Sequence, residues 1–423
     1  MQPHTFVRTL VLTLAAITLV PTAFGADQTV PGAGNANANQ LVARTPRVIE
    51  AHGFLVDNAT RIQDPRLRAA TLDLLRNPDF CITSRVGVGD TVKANIIAAL
   101  TAAGLVNPAD DATFPGGLKA GVFPAILDEG SACPHMPMAF DAAPGSAFTS
   151  HHGYPGGLPI HEANNLRAAL GLTAGYRASY GPGSAHADHD DEDANWLSSP
   201  FFIDQDVMIA APIWHDWAKT MVFQWTADGQ EFVELNIGGT PANGSATGGH
   251  HIISVAESMK RGLPPVFVIA QASAHSNPTL GNEFKVVAWL RSAAVLAQID
   301  PVASGYLQLD ATGFHLPALR KLAAGVDLVG AGQTNLLAEY TLHNLSDADF
   351  TFSIPAAADA ALLIAKLAQL YGFDPTNVAT YNTHFRNPIF ANTSEERLLV
   401  LYGNGGLPAV QHELDVLHAR RVF

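Results

Sequence analysis

Apolar residues recur along most of this chain at intervals of three and four, the spacing of one helix face, while strict two-residue alternation is scarce. Between Thr45 and about Leu105, Val48, Ala51 and Leu55, then Ile62, Leu67, Ala70, Leu72 and Leu75, mark amphipathic helices, and Ala94 to Leu105 continues the pattern. Residues 106–148 are rich in Pro and Gly and read as an irregular connection. The middle third predicts helices over 158–172, 207–225, 250–261, 266–274 and 284–299, separated by Gly-rich joints. Beyond Pro301 further helices are expected, notably 356–371 and 408–419, with no recognisable motif and no internal repeat. The expected fold class is all-α.

Composition narrows this picture only a little. With 48% apolar and 15% charged residues, the 423-residue chain has an ordinary globular composition, sufficient for one large core or two modest ones. A net charge of -14 with only 24 Lys and Arg argues against a surface built to neutralise phosphates, so long nucleic acid is not an expected partner. At the N-terminus, Arg8, the apolar run Leu10 to Val20 and Ala23-Phe24-Gly25 have the layout of a secretory signal. Residues 1–25 would then be removed, leaving a periplasmic or secreted protein without a stable membrane span. An uncleaved anchor is the alternative, but the run is short for a bilayer. Residues 26–42, rich in Gly, Asn and Ala, read as a disordered leader. In an exported chain the two cysteines, Cys81 and Cys133, suggest one disulfide, two buried thiols being the alternative.

Candidate chemistry lies in a spaced series of histidines and acids. It comprises His151-His152-Gly153-Tyr154-Pro155-Gly156-Gly157-Leu158-Pro159-Ile160-His161, then His215-Asp216-Trp217-Ala218-Lys219, then His250-His251, then His275. Imidazole and carboxylate are the side chains that hold divalent transition metals. His161 falls at the start of an expected helix, with Asn165 on the same face in a supporting position. His215-Asp216 is expected inside an apolar helix, where a cation would compensate both groups. Lys219, three residues after Asp216, is either an ordinary helical ion pair or a holder of a phosphoryl oxygen. Of His250 and His251, which point about 100° apart on a helix, His250 is the preferred ligand and His251 a possible one. The run His186 to Asp193 reads as a solvated acidic loop, with a lid or a weak Ca²⁺ clamp as the sharper alternatives.

The order His…His-Asp…His…His, with Lys three residues after the Asp, resembles the HD-domain superfamily of metal-dependent phosphohydrolases. The string from His151 to His161 is similar to the HD domains of bacterial 3′–5′ exoribonuclease-type proteins, which carry His-His-x-Tyr-x-Gly-Gly-Leu-x-x-His. The resemblance covers roughly residues 146–305. It implies an HD-type helical bundle there, flanked by helical regions at 43–145 and 306–423. It further implies metal ligands His161, His215, Asp216, His250 and His275, with Asp216 bridging two ions and Lys219 assisting catalysis. His151, His152, Tyr154 and Asn165 would face the substrate or support the ligands. One or two ions of Mn, Fe, Zn, Co or Ni suit such a set. The family closes its site with an Asp on the last core helix. Here that helix holds Ala or Ser at the place, and Asp300 is the only carboxylate available.

These readings make the chain an exported hydrolase of small phosphate esters or phosphodiesters. A di-iron oxygenase and a degenerate, non-catalytic metal-binding domain are the alternatives.

Overall fold

The computed structural model describes residues 32–181, 202–230, 233–278, 281–319 and 337–423; the expected signal segment and the acidic run 186–193 lie outside them. The fold is all-α. Its strands, among the described residues, are two short antiparallel hairpins, Asn236–Ile237 with Thr247–Gly248 and Gln308–Asp310 with Gly313–His315.

The N-terminal region folds as the helices Pro46–Ala59, Pro65–Arg76 and Asp90–Ala102. The first two begin at proline, whose fixed φ suits a first helical position, and Asp64 caps the second by accepting from the amides of Arg66 and Leu67. At the centre lies the helix Gly157–Tyr180, which packs against Pro46–Ala59, Gln205–Trp214 and Ala338–Ser346. Gly249–Lys260 packs on Glu283–Ala297, and Phe350–Leu367 on Glu395–Ala419. One large apolar core runs through most of this assembly, and a smaller cluster, which includes Tyr154, lies beneath the two C-terminal helices.

Three expectations are corrected here. The leader is ordered from Gly32 and forms the helix Asn35–Val42. The Asn35 amide donates to the Pro137 carbonyl (3.1 Å) and accepts from the Trp225 amide (2.9 Å), while Ala38 and Val42 enter the core. The single helix expected over 207–225 is two, Gln205–Trp214 and Lys219–Val222, with His215 and Asp216 in the bend between them. Pro212 lacks an amide proton for the helical ladder, and its carbonyl accepts from the His215 ring (2.9 Å). Near the C-terminus the span Glu395–Ala419 is two helices broken at Gly406, with φ 66° and ψ -164°, and the second of them is the helix expected over 408–419. Finally, the boundary expected at 305 does not isolate the core, because Ala338–Ser346 packs among the central helices.

Cys81 and Cys133 form a disulfide, which ties the connection before His151 to the turn following Pro65–Arg76. The same connection is held by His52, whose Nδ1 lies 2.7 Å from Asp141 Oδ1. The hydrogen bond to Asp141 raises the His52 pKa above its ordinary 6.5, burial opposing it. A raised folded-state pKa means that this stabilisation is complete below about 6.5 and is lost as pH rises through the folded value. His52→Gln should therefore cost about 1 kcal/mol in urea melts at about pH 5.5, and clearly less at about pH 9. A pH-independent difference would refute the assignment.

Candidate metal centre

Local sequence chemistry first fixes where the ligands stand. Gly156 starts the central helix with φ 92°, and a Cβ on Gly157 would overlap the His152 carbonyl and the Gly145 amide. The Gly-Gly pair thus lets the loop from Gly145 to Tyr154 fold against the helix start, which sets His161 one turn inside. Its Nε2 lies 3.4 Å from Asp216 Oδ2 and 3.1 Å from Asp347 Oδ1. His215 Nε2 lies 3.3 Å from the same Asp216 oxygen and 3.2 Å from the same Asp347 oxygen. Four ligand atoms therefore converge with the spacing of neighbours around one ion.

The other oxygen of Asp216 faces a second set. His250 Nε2 stands 3.0 Å and His275 Nε2 3.8 Å from Asp216 Oδ1. His250 opens its helix straight after the hairpin strand Thr247–Gly248, and His275 lies just past the end of Pro265–Ala272. Each of the four imidazoles turns Nε2 inward and Nδ1 toward an outside neighbour, hydrogen-bonded in all but His161. These are Asp349 Oδ1 for His161 (3.4 Å), the Pro212 carbonyl for His215, Glu234 Oε2 for His250 (2.6 Å) and Thr247 Oγ1 for His275 (3.0 Å). Such outer partners fix tautomer and ring orientation in metal sites. His215 Nε2, His250 Nε2 and Asp216 Oδ1 are buried and lack hydrogen-bond partners, as expected of atoms that await a cation.

The electrostatics agree. Burial alone would lower His161, but the carboxylates of Asp349, Asp216 and Asp347 outweigh it and hold the imidazolium well above its usual range. His215 is raised in the same way by Asp216, Glu162 and Asp347 against its burial, and His250 by Glu234 and Asp216. Burial pushes the Glu162 carboxyl up to about 8, while burial and the neighbouring His250 drop His275 to about 4. A bound divalent ion would take over the charge these protons carry, so metal binding should release protons. Buried clusters of His, Asp and Glu here could hold a metal ion.

All five ligands expected from the sequence meet in this centre. Asn165 supports it through Asp347, to which its amide donates (3.2 Å), rather than through His161. His251 turns away, with Nε2 3.1 Å from the Ala272 carbonyl and its ring stacked on His275. Lys219 binds both Asp216 Oδ2 and the Gly145 carbonyl. A cavity of about 400 Å³ opens over the centre, with His151, Lys219, Leu345 and Phe350 in its walls. His152 and Tyr154 lie behind it, 3.3 Å apart from Nδ1 to hydroxyl.

Asp300 is not part of the centre. The helix ends at Ala297, Gln298 turns left-handed at φ 54°, and the exposed Asp300 accepts from the amides of Val302 (2.8 Å) and Ala303 (3.1 Å). The acid that stands beside His161 and His215 instead is Asp347, which sequence reasoning missed together with Asp349, Glu162, Glu234 and His343. His343 donates from Nδ1 to the Ala270 carbonyl (2.7 Å) beneath His215. The available signal was His343-Asn344-Leu345-Ser346-Asp347-Ala348-Asp349, where His and Asp four apart share a helix face.

No protein-family model, curated protein or solved structure matches the chain.

Proposed function

We propose that this chain is an exported, metal-dependent phosphohydrolase of HD type that acts on small phosphate esters or phosphodiesters. The observation that carries the reading is the position of Asp216, with Oδ2 facing His161 and His215, which also face Asp347 Oδ1, and with Oδ1 facing His250 and His275. Two divalent transition ions, drawn from Mn, Fe, Zn, Co and Ni, fit this donor set of four imidazoles and two carboxylates. Such a pair supplies Lewis acidity for an attacking water and for a phosphoryl oxygen.

The protein's own groups do the rest. Lys219 spends two of its three N–H donors on Asp216 and Gly145. It lines the cavity and offers the third to an anionic ester oxygen. The His151 ring stands 5.3 Å from that of His161, centre to centre, in the cavity wall; burial and the nearby His161 hold it neutral, so that it can accept a proton from an attacking water. The small size of the cavity and the acidic net charge favour a small substrate over long nucleic acid. The disulfide supports an oxidising destination such as the periplasm or the cell exterior. The place of Asp347 beside His161 and His215 supports this reading over a degenerate domain, since an acid stands there although the helix before Asp300 lacks one.

The test is a panel of phosphomonoesters and phosphodiesters with Mn²⁺, Fe²⁺ or Ni²⁺, alongside oxygen-electrode recording. Metal-dependent phosphate or alcohol release, abolished by chelation, is the expected result. Oxygen uptake with Fe²⁺ and no ester cleavage would replace the hydrolase by a di-iron oxygenase. Stoichiometric metal with neither activity would leave a binding protein.

A further inference from the structure

A separate group of metal-ligating side chains lies where the span Glu395–Ala419 meets the loop that precedes His161. His152 is buried there, and its Nε2 is 3.1 Å from Asp349 Oδ2. That contact places the ring proton on Nε2 and leaves Nδ1 with the lone pair a metal needs. Nδ1 faces Glu396 Oε1 at 3.6 Å, and the Tyr154 hydroxyl stands 3.3 Å from the same nitrogen.

Glu395 is fully buried. Its Oε2 accepts from the His152 amide (3.0 Å), but its Oε1 has no hydrogen-bond partner, and neither does the buried Oε1 of Glu396. One ligand atom from each of His152, Glu395 and Glu396 lies within 4.8 Å of the other two. Two arginines stand near. Arg386 donates to the carbonyls of Phe148 and Gly153 and to Asn387, while Arg47 donates to the carbonyls of Phe390 and Ala391. The Arg386 charge acts on Glu395, yet Oε1 of each glutamate lacks a hydrogen bond, and an unbonded buried carboxylate oxygen is costly. A cation between the three side chains would partner both oxygens and the imidazole at once.

We propose that His152, Glu395 and Glu396 bind a divalent transition-metal ion, distinct from those of the Asp216 centre. One nitrogen and two carboxylates suit Mn²⁺ or Zn²⁺. The ion pins the start of that span to the His151–His152 loop. It also orients Asp349, which contacts His152 with one oxygen and His161 with the other. The two positions thus communicate through a single carboxylate.

The probe is Mn²⁺ itself, added to the full-length protein and counted by elemental analysis after dialysis. The Asp216→Asn variant should keep one equivalent of Mn²⁺, and adding Glu395→Gln and Glu396→Gln to it should remove that equivalent. In the otherwise unchanged protein, the same two substitutions should lower the count by one. Glu396→Gln alone, at a partly exposed side chain, guards against misfolding. It should weaken one class of Mn²⁺ sites by about tenfold or more while circular dichroism stays unchanged. An Asp216→Asn protein that holds no Mn²⁺, or a folded Glu395→Gln/Glu396→Gln protein with the full count, would overturn the proposal. Because metal is counted rather than ester cleavage, an inactive enzyme would leave this site standing.

Discussion

Asp216→Asn is expected to empty the whole Asp216 centre rather than half of it. Its two oxygens serve two histidine sets, and an amide nitrogen cannot replace either one. The substitution also strands Lys219, a buried amine whose proton Asp216 holds against the pull of burial. Leaving such a charge without its partner costs about 3–5 kcal/mol. Metal analysis should show loss of the ions bound there. Any ester hydrolysis should fall by more than about 100-fold, since even outer partners of metal ligands are worth 10–100-fold. The lower melting temperature of the metal-free protein should persist when metal is restored. Survival of one ion on His250 and His275 would show that Asp216 is not a bridge.

Asp347→Asn separates the two positions. It withdraws an oxygen that lies 3.1 Å from His161 and 3.2 Å from His215, but leaves Asp216, His250 and His275 in place. The Asn165 amide that donates to Asp347 can still donate to an asparagine carbonyl, so the fold should tolerate the change. Loss of about one ion per chain and a fall in turnover of about 100-fold or more are expected. Asp300→Asn should alter neither quantity. If Asp300→Asn lost an ion and Asp347→Asn did not, the closing ligand would have been assigned to the wrong acid.

The contrast between these two acids shows what the sequence made legible. His161, His215, Asp216, His250 and His275 stood out because imidazoles beside apolar helical runs are rare enough to demand a reason. Asp347 had no such setting. It follows a short helix far along the chain, and only tertiary packing carries it to His161. Asp300 was singled out because it was the nearest carboxylate in sequence, and nearness in sequence is no guide beyond the end of a helix.

Helix limits obeyed the same logic. Glu283–Ala297 lies close to its expected span, with an acid in its first turn and left-handed Gln298 just past its end. Gln205–Trp214 is buried all round, so the apolar run that continues through Trp217 and Val222 gave no sign of the bend at His215. The helix Asn35–Val42 was concealed by a composition that resembles a linker. What orders it is the two-sided bonding of one amide, Asn35, to distant backbone.

The ligands of the Asp216 centre are dispersed from residue 161 to residue 347, and this governs when the protein can mature. During synthesis, or during passage through a membrane, His161 emerges long before Asp347, and no shorter length of chain holds both ligand sets. With the proposed ligand set, the complete centre would form late, after the central helices have received Ala338–Ser346. Under the proposed export, the protein would draw its metal from the compartment where it finishes folding, not from the one where it is made.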